Sequence, residues 1–123
     1  MSNLNQKPIL KHFKLSEFNC PCCGLNHMNP VLLLLLDRAR EISGIPFVIT
    51  SGFRCASHNS KIGGVSDSAH LTGYAVDISV IDSEDRLAVL FSLFQCGFKR
   101  IGISKFFIHA DIDPTKPKCI WLY

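Results

Sequence analysis

The stretch SAHLTGYAVDI, residues 68–78, places a carboxylate inside a segment that is otherwise typical of an apolar strand. Residues 74–80 alternate in character, which puts Asp77 on the face opposite Val76 and Ile78. A carboxylate that is buried without a partner costs several kcal/mol, so we expect Asp77 to be paired or to bind a cation. His70 ends the loop just before this strand.

A second predicted strand, residues 106–112, brings further polar groups to one face, namely His109 and Asp111. Two imidazoles and one carboxylate are a common ligand set of catalytic zinc, which keeps its fourth position open for water. Zinc of this kind lowers the pKa of its water to about 7 and polarises a carbonyl, which suits amide hydrolysis. Spacing alone leaves a second interpretation open, in which His70 and His109 are hydrogen-bonded residues without a metal.

The remaining pattern predicts two helices and one more strand. The first helix follows Asn29 as N-cap and ends at Gly44, and the second begins at Asp82 or Ser83 and ends before Gly97. Residues 46–50 predict a buried strand. Between them and the strand of Asp77 lie over twenty residues rich in Gly, Ser and Asn, and a loop of that length is usually functional.

Helices and strands do not alternate regularly enough for a parallel sheet. We therefore expect an α+β fold, a small antiparallel sheet with helices packed on it. The 123 residues are expected to form one domain, spanning 1–123.

Composition argues against several function classes. Charged residues make up 19% of the chain with a net charge of +3, and they form no basic stripe of the kind that binds nucleic acid. The longest apolar run, residues 31–36, is far too short to span a membrane. The first fifteen residues contain no apolar core of a secretory signal, so we expect a chain made in the cytoplasm without a signal peptide. We also expect a monomer.

Three motifs together resemble a known family. They are SGFR at residues 51–54, the pattern S-x-H-x-x-G-x-A-x-D within residues 68–77, and FIHAD at residues 107–111. The chain resembles the zinc D-Ala-D-Ala carboxypeptidase and L-alanyl-D-glutamate peptidase family, which shares its fold with the signalling domain of hedgehog proteins. HNSKIGGVSDSAH, residues 58–70, is similar to a loop of the short branch found in phages and prophages, and LSEFNC, residues 15–20, to its lead-in.

The resemblance implies roles for particular residues. It implies zinc held by His70, Asp77 and His109, an Arg54 that contacts the carboxylate or carbonyl of the substrate, and a Ser68 that lies close to the site. A guanidinium suits the role of Arg54 because it stays charged and can bind an anion through two N–H groups. The alternatives are a surface salt bridge for Arg54 and a hydroxyl bonded to its own backbone for Ser68.

This chain differs from better-known relatives at the positions where they carry the general base. Where many of them carry Glu, Asp or a second His, this chain has Phe106 and Phe107, and neither can move a proton. Asp111 is the nearest carboxylate by alternation and is our candidate for activating water or orienting a ligand. Asp113 is the reserve candidate and Asp67, in the loop, the third.

A cysteine cluster, CPCCGLNH, occupies residues 20–27. A second, structural zinc ion held near Cys20, Cys22 and Cys23 with Cys55 or Cys119 is one interpretation, and a loop of free thiols is the other. The C-x-C-C arrangement is strained as a complete site by itself, and a reducing compartment argues against disulfides.

The function implied by the resemblance is a zinc-dependent peptidase that hydrolyses amide bonds of peptidoglycan stem peptides, as a D,D-carboxypeptidase or an endopeptidase. The phage-type loop implies an endolysin-like enzyme that acts on the cell wall after release or in a virion. Two alternatives remain: a metal-stabilised, non-catalytic hedgehog-like module that binds the cell wall, and a small cysteine-zinc protein that binds nucleic acid. The missing basic patch counts against the second of these.

Overall fold

A computed structural model describes residues 8–123 and shows a five-stranded sheet with its two long helices on one face. The strands lie in the order β1-β2-β4-β3-β5. Their bounds are β1 Ile49–Ser51, β2 Ala75–Ser79, β3 Arg100–Ile103, β4 Phe107–Asp111 and β5 Cys119–Leu122, and the helices are α1 Pro30–Ser43, α2 Ala56–Lys61 and α3 Ser83–Gln95. Short 3-10 helices cover Leu15–Phe18 and Ala69–Thr72.

The α+β class is confirmed, with one correction to the predicted sheet. The pairs β1–β2, β2–β4 and β3–β4 are antiparallel, but β5 runs parallel to β3, so the sheet is mixed. The sequence analysis assigned neither β3 nor β5, because each is only four residues long and is followed or preceded by turn residues.

The two long helices begin and end as predicted. The side chain of Asn29 accepts hydrogen bonds from the first turn of α1, and Gly44 ends that helix with a φ of 70°. The side chain of Asp82 caps α3 by accepting from the backbone N–H of Asp85 at 2.7 Å. Gly97, two residues after α3, has a φ of 91°.

One face of the sheet forms the hydrophobic core with these helices. Alternation along β2, β3 and β4 sends the apolar side chains toward α1 and α3, which pack against each other and against the sheet. The central residues of this core are fully buried and include Leu32, Leu36, Val76, Ile78, Leu93, Ile101 and Ile108. The opposite face of the same strands therefore carries the polar residues.

The prediction of a buried strand over residues 46–50 is wrong. The strand is β1, Ile49–Ser51, which lies at the edge of the sheet and pairs only with β2. Phe47 does enter the core, but the neighbouring Val48 is 60% exposed. The apolar run of residues 46–50 therefore contributes one core side chain, Phe47, and does not form a central strand.

The long segment between β1 and β2 is largely structured. It contains α2 and the 3-10 helix Ala69–Thr72, which ends at Gly73 with a φ of 78°. A Cβ atom at Gly73 would lie 2.0 Å from the carbonyl oxygen of His27, so only glycine lets these two backbone segments meet. The Ser and Asn content that predicted a loop reflects side chains that cap and brace these short helices.

Within residues 8–123, no helix is long and apolar enough to cross a membrane. The predictions about residues 1–7, as part of the expected domain and as a segment without a signal sequence, lie outside the described residues.

Candidate metal centre

The register of the sheet brings Asp77 and His109 side by side. They are directly paired residues on β2 and β4, on the face away from the helices. His70 reaches the same point from the 3-10 helix that precedes β2. One donor atom from each of the three residues lies within 4.8 Å of the other two.

His70 is held with a free lone pair toward Asp77. Its Nδ1 lies 2.8 Å from the carbonyl oxygen of Gly52 and must donate to it, because a carbonyl only accepts. Nε2 then carries the lone pair, and it is buried without a hydrogen-bond partner among the described residues. It lies 3.3 Å from Oδ1 of Asp77. Two acceptors that face each other in a buried site require a proton or a cation between them.

His109 is oriented in the corresponding way by Asp111. Its Nε2 lies 2.7 Å from Oδ2 of Asp111, so it donates to that carboxylate. Nδ1 then has its lone pair directed at Asp77, with a distance of 3.0 Å to Oδ1. Three lone pairs, two from imidazoles and one from a carboxylate, therefore converge on one point.

This donor set fits zinc. Neutral imidazole nitrogen and carboxylate oxygen are ordinary zinc ligands, and three protein ligands leave one position for water or substrate. The carboxylate beyond His109 is the partner that a zinc-bound histidine usually has, because it fixes the tautomer and the ring orientation. The unpartnered nitrogen of His70 is the polar atom whose requirement a metal ion would meet.

The charged groups of this site lower the pKa of Asp77 and raise the pKa of His109. Burial alone would raise the pKa of Asp77, but the hydrogen bonds and charges of His109 and His70 hold it well below its usual range. For His109, burial lowers the pKa, while Asp111 and Asp77 outweigh burial and raise it. Strong shifts of this kind are common at functional sites.

Asp111 has no free oxygen. Oδ2 accepts from His109, and Oδ1 accepts from Nε of Arg100 at 2.7 Å and from the backbone N–H of Asp113 at 3.1 Å. The side chain is only 1% exposed. Burial would raise its pKa, but His109 first, and then the Asp113 amide and Arg100, lower it. The sequence analysis did not find Arg100, because its strand was not predicted.

Arg54 binds the outer oxygen of Asp77. Its Nη2 lies 3.3 Å from Oδ2 of Asp77, its Nε donates to Oγ of Ser51 at 3.0 Å, and its Nη1 donates to Oδ1 of Asn59 at 3.2 Å. The arginine side chain is 12% exposed, so this is a largely buried contact and not a surface salt bridge. A guanidinium has five N–H groups, and three of them are used here.

Ser68 lines the same pocket. Its hydroxyl accepts from the backbone N–H of His70 at 3.2 Å and caps the 3-10 helix. This is the local backbone contact that the sequence analysis held open as the alternative, and it fixes the start of the segment that carries His70.

A pocket of about 390 Å³ opens over these residues. Its walls include Phe107, Lys116, Trp121 and Tyr123. Trp121 lies across Gly102 and reaches His109, with 5.2 Å between the ring centroids. A Cβ atom at Gly102 would lie 2.6 Å from Nε1 of Trp121, so glycine makes room for the indole.

The other candidates for a proton-transfer group do not line this pocket. Asp113 accepts from the Thr115 hydroxyl at 2.7 Å and lies 3.5 Å from Nζ of Lys116. Asp67 is an exposed loop residue whose carboxylate lies 3.9 Å from the same lysine. Of the two phenylalanines at the positions where relatives carry a proton-transfer group, Phe107 lines the pocket, whereas Phe106 is 63% exposed and does not.

The cysteines form a second group of potential ligands. The sulfur atoms of Cys20, Cys23 and Cys55 lie within 4.8 Å of one another, whereas Cys119 is not part of this group. Burial would raise the pKa of the Cys20 thiol, but backbone N–H groups, that of Cys55 foremost, lower it to about 6. Of the two partners considered from the sequence, the fold brings Cys55 to the cluster.

Comparison with known proteins identifies one family. A family model described as Peptidase M15 matches residues 11–112, which is most of the chain. No curated protein matches the chain. The matched range contains the three convergent residues His70, Asp77 and His109, together with Arg54 and Asp111.

Proposed function

The chain belongs to the peptidase M15 family of zinc peptidases, and from this premise we propose that it hydrolyses amide bonds in peptidoglycan stem peptides, as a D,D-carboxypeptidase or an endopeptidase. The observation that carries the proposal is the convergence of three lone pairs, one of them on a buried nitrogen of His70 without a partner. We assign His70, Asp77 and His109 as the zinc ligands. Zinc bound there would lower the pKa of water to about 7 and polarise the amide carbonyl.

The protein supplies orientation around these ligands. Asp111 keeps the proton of His109 on Nε2, so that Nδ1 stays free to bind. Arg54 holds Oδ2 of Asp77 and leaves Oδ1 toward the two imidazoles. Since Gly52 holds the proton of His70 on Nδ1, every ligand is directed before a metal arrives.

Substrate binding is assigned to the groups around the opening of the pocket. Arg54 has two N–H groups left over, which suit the carboxylate or a carbonyl of a peptide. The Ser68 hydroxyl keeps its own proton to donate, since it only accepts from His70. A volume of about 390 Å³ is enough for a short peptide segment.

The pocket offers few candidates for a group that transfers the proton of the attacking water. Asp111 is the only carboxylate besides Asp77 among the described residues that line the pocket, and both of its oxygens accept hydrogen bonds. We therefore assign Asp111 first to orienting His109. Its part in moving the proton remains a prediction that the D111N experiment below tests.

The proposed setting is a phage-type or prophage-type lysin, a monomer that is made in the cytoplasm and acts on the wall after release or in a virion. The support for this setting is the resemblance of residues 58–70 to the loop of the short phage branch.

Digestion of purified sacculi followed by mass spectrometry of the muropeptides tests the function. The zinc-loaded protein should release products whose new termini name the bond: free D-Ala for a carboxypeptidase, or divided stems for an endopeptidase. His70→Ala should release none, while His12→Ala, which removes an imidazole outside the pocket, should match the wild type.

The alternative is a non-catalytic, metal-stabilised module that binds the cell wall. The observation in its favour is that Asp111, the pocket carboxylate that is left once Asp77 is assigned to the metal, accepts hydrogen bonds through both of its oxygens. Zinc-loaded protein that sediments with sacculi of every stem-peptide type tested, yet releases no product, would overturn the peptidase proposal and support this alternative.

A further inference from the structure

Four of the six cysteines gather on the side of the chain where residues 20–24 meet the start of α2. The sulfur atoms of Cys20, Cys23 and Cys55 lie within 4.8 Å of one another, and the side chain of Cys22 lies beside that of Cys55. A disulfide would use two of these thiols and leave the others unexplained. A single ion can use them all.

The backbone of residues 20–24 has the shape of a metal-binding turn. Cys20 and Cys23 have the C-x-x-C spacing of zinc knuckles, which the sequence analysis missed by treating the cluster as C-x-C-C. The turn closes through a hydrogen bond from the N–H of Gly24 to the carbonyl oxygen of Cys20 at 2.8 Å. Gly24 has a φ of 74°, which glycine adopts without strain.

Backbone N–H groups point at the sulfur atoms. The amide of Cys55 donates to Sγ of Cys20 at 3.5 Å, and the amide of His58 donates to Sγ of Cys55 at 3.4 Å. The amides of Cys22 and Cys23 also approach Sγ of Cys20. Such donors stabilise a thiolate, which is the form that binds a metal. Lys61, near Cys22, adds a positive charge beside the cluster.

The distances leave little to adjust. Zinc–sulfur bonds of about 2.3 Å in a tetrahedron put the sulfur atoms about 3.8 Å apart. The sulfur atoms of Cys20, Cys23 and Cys55 lie within 4.8 Å of one another already, so each pair has to approach by only about 1 Å or less. Because Cys22 and Cys23 are exposed, an ion can enter from solvent.

We propose that Cys20, Cys23 and Cys55 bind a second zinc ion, with Cys22 as the fourth ligand. An all-cysteine, four-coordinate site is closed to substrate and is therefore structural. It fastens the 20–24 turn to residue 55, thirty-five positions further along the chain. Close to this connection, the N–H of Phe53 donates to the carbonyl oxygen of Phe18 at 2.9 Å.

The site lies next to the substrate-binding groups. Cys55 follows Arg54 directly and is the N-cap of α2, and α2 carries Asn59, whose side chain binds Arg54. We therefore expect the cysteine-bound ion to position Arg54. Its loss should raise the KM of the peptidase more than it lowers kcat. This consequence depends on the proposed function, whereas the existence of the ion does not.

Metal content and thiol reactivity test the site separately from activity. Protein purified under a metal-free reductant should carry two zinc ions per chain. The His70→Ala/His109→Ala variant should keep one, and X-ray absorption should show only sulfur at about 2.3 Å around it. Cys55→Ser should lose that ion and keep the other, while Cys119→Ser, a matched change outside the cluster, should keep both.

A measurement on the unmodified chain guards against variants that do not fold. A thiol reagent should react quickly with the exposed Cys119 and slowly with Cys20, Cys22, Cys23 and Cys55, although Cys22 and Cys23 are exposed, until a strong chelator releases them. Rapid reaction of Cys22 and Cys23 without chelator, or no zinc in the double histidine variant while the wild type holds one ion, would overturn the second site and leave the proposed function intact. A wild-type protein that holds only one ion, and a double histidine variant that keeps it, would instead contradict the proposed catalytic centre.

Discussion

The substitution Asp111→Asn separates an orienting role from proton transfer. In the native chain Asp111 accepts from Arg100 through one oxygen and from His109 through the other, at 2.7 Å in both cases. An asparagine has one oxygen and one NH₂ group. Hydrogen bonds from a charged donor are roughly twice as strong as neutral ones, so the guanidinium of Arg100 should capture the amide oxygen. The NH₂ group then faces Nε2 of His109 and moves the imidazole proton to Nδ1, toward Asp77.

The expected magnitude follows from the loss of one oriented ligand. Removing a partner of this kind typically weakens metal binding 10- to 100-fold, which is about 1.4 to 2.7 kcal/mol. Loss of the buried charge beside Arg100 should also lower the free energy of unfolding by about 1–3 kcal/mol. Zinc affinity is measured by competition with a chromophoric chelator in a Cys23→Ser background, so that only the histidine site is titrated.

Asp113→Asn is the matched control for this experiment. Asp113 is two residues away and buried, but it binds Thr115 and Lys116 and does not contact His109. We expect its zinc affinity to equal that of the background protein. If Asp111→Asn also binds zinc normally and loses only kcat, the orienting argument is refuted and Asp111 acts as the proton-transfer group.

Three further predictions concern the neighbouring residues. His70→Ala should abolish zinc binding at the histidine site, since a ligand is removed and not merely misdirected, while circular dichroism stays that of the native fold. Arg54→Lys should raise the KM for peptide roughly 10-fold or more, because an ammonium that keeps the contact to Asp77 lacks the further pair of N–H groups that the guanidinium offers to substrate; an unchanged KM would remove Arg54 from substrate binding. Gly102→Ala should displace the indole of Trp121 and lower the free energy of unfolding by about 1–3 kcal/mol; the fluorescence of Trp121, the single tryptophan, reports the displacement, and an unaltered spectrum and Tm would contradict the contact.

The convergence of Asp77 with His109 could be expected from the sequence because of the physics of strands. Alternation assigns a face to each residue, and a carboxylate on a mostly apolar strand demands a partner. Both statements are local, so a single sequence contains them. The caps of α1 and α3 are local in the same sense, and their ends were predicted correctly.

What was missed depends on contacts between distant segments. Arg100 reaches Asp111 only because β3 pairs with β4, and neither the strand nor its neighbour β5 has enough residues to show a pattern. Gly102 lies beneath the indole of Trp121 only because β5 pairs with β3. Cys55 and Cys119 were both open as partners of the cysteine cluster, and only the fold of the long loop selects Cys55.

One face of the sheet stabilises the fold, and the opposite face carries the residues of the proposed metal site. Helices α1 and α3 bury the apolar face, so the strands that carry Asp77 and His109 are fixed by packing that does not involve those side chains. Sites built on such strands are more precisely placed than sites built on loops.

His70 and Arg54, by contrast, come from the segment between β1 and β2, where few apolar contacts are available. That segment is held by polar means: the Gly52 carbonyl on His70, the Asn59 amide on Arg54, and the cysteine cluster at the start of α2. Perturbations of the loop should therefore alter metal and substrate binding at small cost in global stability, whereas perturbations of the helix face should unfold the chain before they alter the site.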